Sequence, residues 1–258
     1  MYSQIKSYFK FLLNATNQHG VHSPFVFNLI TKCFYKKTPL NKRKRINSYR
    51  NDLMRNKGFI EVTDFGKGSR VFKSKNRAIS KIAKIAGISK KRAELLARVV
   101  AYLNLNEILE TGTSLGIGTA SMAIGNPQAH ITTLEGCKNT SNFAIGQFEK
   151  FNLKNINVVI GEFSTTLPIS LKNKKFDLIY FDGNHKKEPT LDYFHACLKN
   201  IHNESVFVFD DIHWSGDMED AWSIIKKHPL ASVTIDTYYW GFVFFRKEQI
   251  KEHFTIRI

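Results

Sequence analysis

Five successive strand-like runs each end in an acid: NEILE in Glu110, HITTLE in Glu135, INVVIGE in Glu162, FDLIYFD in Asp182 and SVFVFDD in the pair Asp210–Asp211. Each run has the length and composition of a buried strand. In an open α/β sheet, ligands bind beyond the carboxyl ends of the strands. A carboxylate there can accept hydrogen bonds from ligand hydroxyls or balance a ligand's positive charge. Taken singly, each acid reads equally well as a solvated loop residue; the recurrence is the signal. A second stretch, TGTSLGIG, follows Glu110 directly and places Gly112, Gly116 and Gly118 around Thr113 and Ser114. Glycine allows a tight turn and close approach of backbone N–H groups to a ligand, and a helix start favours a carboxylate or phosphate. The spacing is neither the G-x-G-x-x-G of dinucleotide sites nor a phosphate loop ending in Gly-Lys-Ser/Thr. A glycine-rich turn without a ligand is the alternative.

These residues require a scaffold, and the chain supplies one. From residue 107 onward strands alternate with helical patterns over 115–124, 140–151, a weaker one through Leu171, about 188–200 and about 216–228. The runs 232–239 and 241–247 read as two closing strands joined by a turn at Trp240–Gly241. Strand–helix alternation implies a parallel sheet covered on both faces, here with a terminal antiparallel strand. Upstream, residues 77–103 give two helical patterns split near GISKK. Ser89 is the expected N-cap of the second.

The spacing E-x-G-x-x-x-G-x-G resembles motif I of the class I S-adenosylmethionine (SAM) methyltransferases, closest to the O-methyltransferase form LE-x-G-T-x-x-G. The resemblance implies a Rossmann-like, seven-stranded mixed sheet over residues 77–258, preceded by a helical, basic extension over 1–76. It also implies roles. Backbone N–H groups of Gly112, Thr113, Ser114, Gly116 and Gly118 suit the SAM carboxylate, with Glu110 at the head of the motif. Glu135, followed by Gly136, suits the ribose hydroxyls. Glu162 after Gly161 meets the adenine edge with Phe163 for stacking, and Asp182 faces the amino group or a metal. The segment from 77 also resembles a bacterial group of SAM-dependent methyltransferases carrying ILE-x-GTSLGI, TLEGC, DGNH and DDIHW, to which HGVHSPFVF (19–27) conforms.

FDLIYFDGNH and FVFDDIHWSG further resemble the paired motifs of cation-dependent O-methyltransferases of the catechol and caffeoyl-CoA type. Carried over, Asp182 and Asp210 fall on the metal aspartates, Asp211 on the family's asparagine, and His185 on its general-base lysine. Three oxygen ligands suit Mg²⁺ or Ca²⁺, and histidine is a side chain able to take a proton near neutral pH. The missing lysine and the Asp-Asp pair depart from the family, leaving open a reaction without a divalent cation in which Asp182 and Asp211 orient SAM and cap a helix. His213 is a second base candidate, with a structural loop histidine as its alternative.

The net charge of +16 is unevenly spread: residues 1–100 carry 23 Lys and Arg against 4 acids, and residues 101–258 carry 15 against 18. The excess points to an acidic small-molecule acceptor, nucleic acid or an anionic surface, against the alternative of a lysine-rich solvated face. Residues 36–57 hold nine Lys/Arg and one acid, with Tyr49 the sole aromatic, and read as a solvated helix or flexible arm. An RNA methyltransferase and a non-catalytic SAM-fold partner are the competing functions. No Asn-Pro-Pro-Tyr motif follows the fourth strand, which disfavours base methylation. Residues 2–13 read as an amphipathic helix, His19 and His22 as loop histidines, Pro24 as a helix start and FGKGSR (65–70) as a mobile glycine loop. Cys33, Cys137 and Cys197 lack metal spacing and form no even set, which fits a reducing cytoplasm. With no apolar run of spanning length and no convincing signal peptide, a soluble cytoplasmic protein is expected. Phe25 and Phe27 are candidates for a homodimer interface or for core.

Overall fold

The computed structural model describes residues 2–65, 72 and 74–258. Beyond Phe65, the glycine loop read at 65–70 lies outside the described residues. The chain divides into two compact units, Lys36–Ser170 and Met1–Tyr35 together with Leu171–Ile258. The main sheet has eight strands, three in the first unit and five in the second.

The unit Lys36–Ser170 begins with the helix Leu40–Arg55 and a short antiparallel pair, β1 (Phe59–Glu61) and β2 (Asn76–Ala78). Helices Ile79–Ile85 and Lys90–Tyr102 follow. As expected, Ser89 caps the second, its Oγ accepting from the Arg92 N–H. Three parallel strands come next: β3 (Glu107–Thr111), β4 (His130–Glu135) and β5 (Ile156–Ile160). Between β3 and β4 runs the helix Ile117–Gly125, buried at every residue, as its small and apolar side chains allow.

The basic stretch is not a solvated arm. Its helix buries Ile46, Tyr49 and Leu53, one face at spacings of three and four. Tyr49 packs beside Phe151 and Phe148, and its hydroxyl donates to the Leu115 carbonyl at 2.9 Å. Lys42 donates to the Gly125 carbonyl and Arg50 to that of Ile88, while Asp52 accepts from Lys150. Composition suggested solvation; three apolar positions on one face and cations ending on backbone carbonyls override it. Replacing Tyr49 with phenylalanine removes a buried donor and leaves the Leu115 carbonyl without it. The expected cost is about 1–2 kcal/mol in urea denaturation, and an unchanged midpoint would show that the bond contributes nothing.

In the other unit, the helix Tyr2–Asn14 is followed by Pro24–Leu29, which Ser23 caps and which continues through a wider turn at Ile30–Phe34. Strands β6 (Leu178–Phe181) and β7 (Val206–Asp210) are parallel, with the helix Lys187–Cys197 between them. The helix Gly216–Lys227 leads to β8 (Val233–Asp236), β9 (Trp240–Phe244) and β10 (Glu252–Thr255). β9 runs antiparallel to β7 and to β8, and β10 parallel to β8. Phe181, Phe194, Phe207 and Phe209 stack into one aromatic core.

Two expectations change here. β10 is an eighth strand beyond the seven expected. The turn before β9 lies at Thr237–Tyr239, and Trp240 and Gly241 belong to the strand. Gly241 is needed for closeness: a Cβ there would lie 2.6 Å from the Trp222 ring. Phe25 packs edge-on against Phe244 and under Arg246, so it is intramolecular, whereas Phe27 is exposed. No helix among the described residues is long and apolar enough to cross a membrane. The three cysteines are buried thiols.

Candidate active site

In the unit Lys36–Ser170, the β3–β4 register sets Glu110 opposite Thr133. The Glu110 carboxylate, 1% exposed, accepts from the Thr133 hydroxyl at 2.7 Å and from that of Thr119. The Thr133 and Thr113 hydroxyls are 2.6 Å apart, so the network reaches the glycine turn. Burial pushes the Glu110 pKa to about 7 against the lowering effect of the two hydroxyls, with the Glu135 charge adding to the rise. Glu110 thus sits beneath the turn as its prop.

The turn itself uses the left-handed region at Gly112, Ser114 and Gly116, with φ of 103°, 48° and 75°. Gly116 precedes the helix Ile117–Gly125, and no side chain caps that helix. A Cβ on Gly116 would lie 2.4 Å from the Phe148 ring, so position 116 demands glycine for both conformation and space. The first N–H groups of a helix have no acceptor one turn back, and here, with Gly118 buried among them, they suit an acid group of a ligand. That arrangement fits the carboxylate end of an amino-acid-bearing cofactor.

Glu135 closes on the same turn. Its Oε2 accepts from the Ser114 N–H and its Oε1 from the Cys137 N–H, both at 2.9 Å. Burial raises its pKa against these N–H bonds, and the Asp64 charge raises it further. Gly161, at φ 147°, donates its N–H to the Glu135 carbonyl. Glu162 is exposed, and its carbonyl accepts from Thr165 and Thr166 at the start of the helix Phe163–Leu171, which Phe163 opens. Gly136 lies under the Phe65 ring: a Cβ there would be 2.7 Å from Cδ2.

In the other unit, Asp182 follows β6, and its Oδ2 accepts from the Tyr180 hydroxyl at 3.2 Å. His185 Nε2 stands 3.8 Å from Asp182 Oδ1, and both side chains are partly exposed. Asp210 is buried at the end of β7, its Oδ1 accepting from the Asp211 N–H, and Asp211 takes a left-handed φ of 54°. His213 is fully committed: Nδ1 pairs with Glu219 at 3.0 Å and Nε2 with Asp236 at 2.9 Å. Burial opposes charge on this ring, yet the two carboxylates outweigh it and raise its pKa. Two acceptors require both ring N–H groups, hence an imidazolium. His213 is a structural clamp with no nitrogen left to act as base. Tyr238 stacks on it at 5.2 Å and donates its hydroxyl to the Gln4 carbonyl, while the Gln4 amide donates to the Trp214 carbonyl. The helix Tyr2–Asn14 is thereby tied to the loop after β7. Among the described residues, no group of three or more His, Cys, Asp or Glu is placed to hold a metal ion.

Residues 109–212 match the family model of a methyltransferase domain. Over that segment the chain is similar to a methyltransferase domain. The matched segment contains Glu110, the glycine turn, Glu135, Glu162, Asp182, His185, Asp210 and Asp211. The chain is also similar to solved structures. The O-methyltransferase from Bacillus cereus, in complex with S-adenosylhomocysteine (SAH), is 23% identical; the match covers 62% of this chain and 81% of that one at a TM-score of 0.52. The O-methyltransferase involved in tomaymycin synthesis from Streptomyces achromogenes, in complex with SAM, is 17% identical, with 62% and 82% covered and a TM-score of 0.54. An SAH-bound methyltransferase from Podospora anserina is 13% identical, with 88% and 97% covered and a TM-score of 0.60. At these identities the likeness concerns the fold, an α/β Rossmann-like methyltransferase sheet.

Sequence reasoning missed Thr119 and Thr133, the hydroxyls that hold Glu110. Strand alternation offers a signal for Thr133, which lies two before Glu135, but Thr119 comes into play only once the helix folds back over β3.

Proposed function

We propose that this protein transfers a methyl group from SAM to an oxygen of a small or medium-sized acceptor. The observation that carries the reading is the uncapped helix start at Gly116 beside Glu135, a carboxylate fixed by two backbone N–H groups, inside a segment that matches a methyltransferase domain. The helix N–H groups take the amino-acid carboxylate, with Thr113 and Ser114 shaping the turn. Glu135 accepts from the ribose hydroxyls, and Glu162 and Phe163 meet the adenine. Asp182 faces the amino group. Bound SAM supplies an electrophilic methyl on a sulfonium. His185 takes the proton of the acceptor hydroxyl while the acceptor oxygen bonds to the methyl carbon and the carbon–sulfur bond breaks, leaving SAH. Asp182 orients the His185 ring, and the remaining work is in-line positioning.

Asp182, Asp210 and Asp211 do not assemble as a donor set that fits a divalent cation, and no step of this reaction runs through one. The charge excess of residues 1–100 supports an acidic acceptor. Residues 77–258 serve as the methyltransferase domain proper and 1–76 as its extension, in a cytoplasmic enzyme.

Calorimetric titration of SAH into the purified chain, with and without Mg²⁺, tests this. Micromolar binding indifferent to Mg²⁺ is expected. No binding overturns the reading. Binding that requires Mg²⁺, and loses that requirement in Asp210→Asn, would replace the cation-free reaction with a metal-assisted one.

A further inference from the structure

We propose that Phe65 is a further cofactor-contact residue, offering the open face of its ring to the adenosine half of SAM beside Glu135. This rests on the SAM reading above. The chain after β1 is drawn to the end of β4 by three contacts. The Thr63 N–H donates to Cys137 Sγ, the Asn139 amide donates to the Glu61 carbonyl at 3.0 Å, and the Cys137 thiol points to the same carbonyl. The Phe65 ring lands on Gly136, the residue directly after Glu135, at a distance only glycine permits.

The segment that leads to the ring is anchored. Arg77, 9% exposed, takes both oxygens of Asp64 and donates through Nε to the Ser74 carbonyl. The Val62 N–H donates to the Lys75 carbonyl. Residues 62–64 are therefore clamped to 74–77, and Phe65 extends from the clamp.

One side of the ring rests on Gly136, and half of its surface, 51%, is open. The surroundings select what can cover it. Glu135 and Asp64 lie close enough for their charges to interact, and two carboxylates repel an anionic occupant. A neutral group with hydroxyl donors and a broad π face meets every condition: hydroxyls for Glu135 and a stacking face for Phe65. A nucleoside has both, and base–aromatic stacking does not depend on hydrogen-bond readout.

The test is titration of SAH and of 5′-methylthioadenosine, which carries the adenosine half without the amino acid, into wild type, Phe65→Ala, Phe65→Leu and Phe65→Trp. Phe65→Ala should weaken both ligands by about tenfold. Phe65→Trp should retain both and show fluorescence quenching on binding. If Phe65→Ala loses thermal stability, Phe65→Leu decides, because it keeps an apolar cover on Gly136 without a π face; it should match wild type in Tm and still bind both ligands more weakly. Wild-type affinity in Phe65→Leu overturns the proposal and leaves a packing role, as does weakening of SAH alone. Failure of wild type to bind either ligand removes the SAM reading itself, and this inference with it.

Discussion

Alanine at position 185 lowers methyl transfer by about 10²–10⁴-fold and leaves SAH affinity within about twofold, the size expected for loss of a general base. The split between rate and binding is the informative part. His185 stands beside Asp182 with a partly exposed ring, so removing it strips no buried contact from the fold. The neighbouring candidate, His213, has both nitrogens tied to carboxylates, so it has no lone pair to take over the role. Single-turnover rates with SAM and calorimetric SAH binding, measured on the same preparation, check both halves. A His185→Ala protein that transfers methyl groups at the wild-type rate would end His185's assignment as base. Equal loss of rate and SAH affinity would make it a cofactor contact instead.

Glu110→Gln removes a pH dependence of folding stability worth about 3 kcal/mol. The Glu110 carboxyl shifts from 4.5 to about 7 on burial. Between those values the unfolded chain has released this proton and the folded protein still holds it. Raising the pH therefore favours the unfolded state. The contribution is fully present below pH 4.5 and is lost as the pH rises through about 7. His253, whose burial pushes it down to about 4, acts in the opposite direction over an overlapping range, so the stability curve of wild type alone conceals both. The difference between wild type and Glu110→Gln isolates the first. Glutamine keeps an oxygen to accept from Thr119 and Thr133 and cannot ionise. Urea denaturation at pH 5 and pH 8 is the check: the wild type should fall relative to the variant by about 2.5 kcal/mol, most of the full effect. A constant difference would mean that Glu110 is ionised throughout.

The parts of the fold with strong local signals were legible. β6 and β7 are largely apolar runs buried at every residue, and the strand assignment follows from that pattern. β10 was hidden because only Phe254 of its four residues is buried; its pairing with β8 is a tertiary fact with almost no local pattern. The turn before β9 was misplaced because Trp240–Gly241 looks like punctuation, whereas Gly241 is there to let Trp222 approach. The basic helix misled for the reverse reason: composition described its exposed side, and Ile46, Tyr49 and Leu53 decided its fate. At the site, acids at strand ends could be found by counting. What they do could not, because Glu110 and Glu135 end the same kind of run, yet one is enclosed by hydroxyls and the other grips backbone N–H groups.

The first residues of this chain bond to its last. Thr16 bridges Ile256: the Thr16 N–H donates to the Thr255 carbonyl, the Arg257 N–H donates to that of Thr16, and the Tyr35 hydroxyl reaches the Arg257 carbonyl. Some 240 residues separate the bridged pair. On a ribosome, which releases the amino end first, the opening segment emerges long before the strand it must join. Thr16 must wait for residues 255–257 before its bridge can form. Until then the helix Tyr2–Asn14, with Ile5, Phe9 and Leu13 exposed even after folding, is followed by a segment that still lacks its strand partner, and such unpartnered apolar surface is open to misassociation.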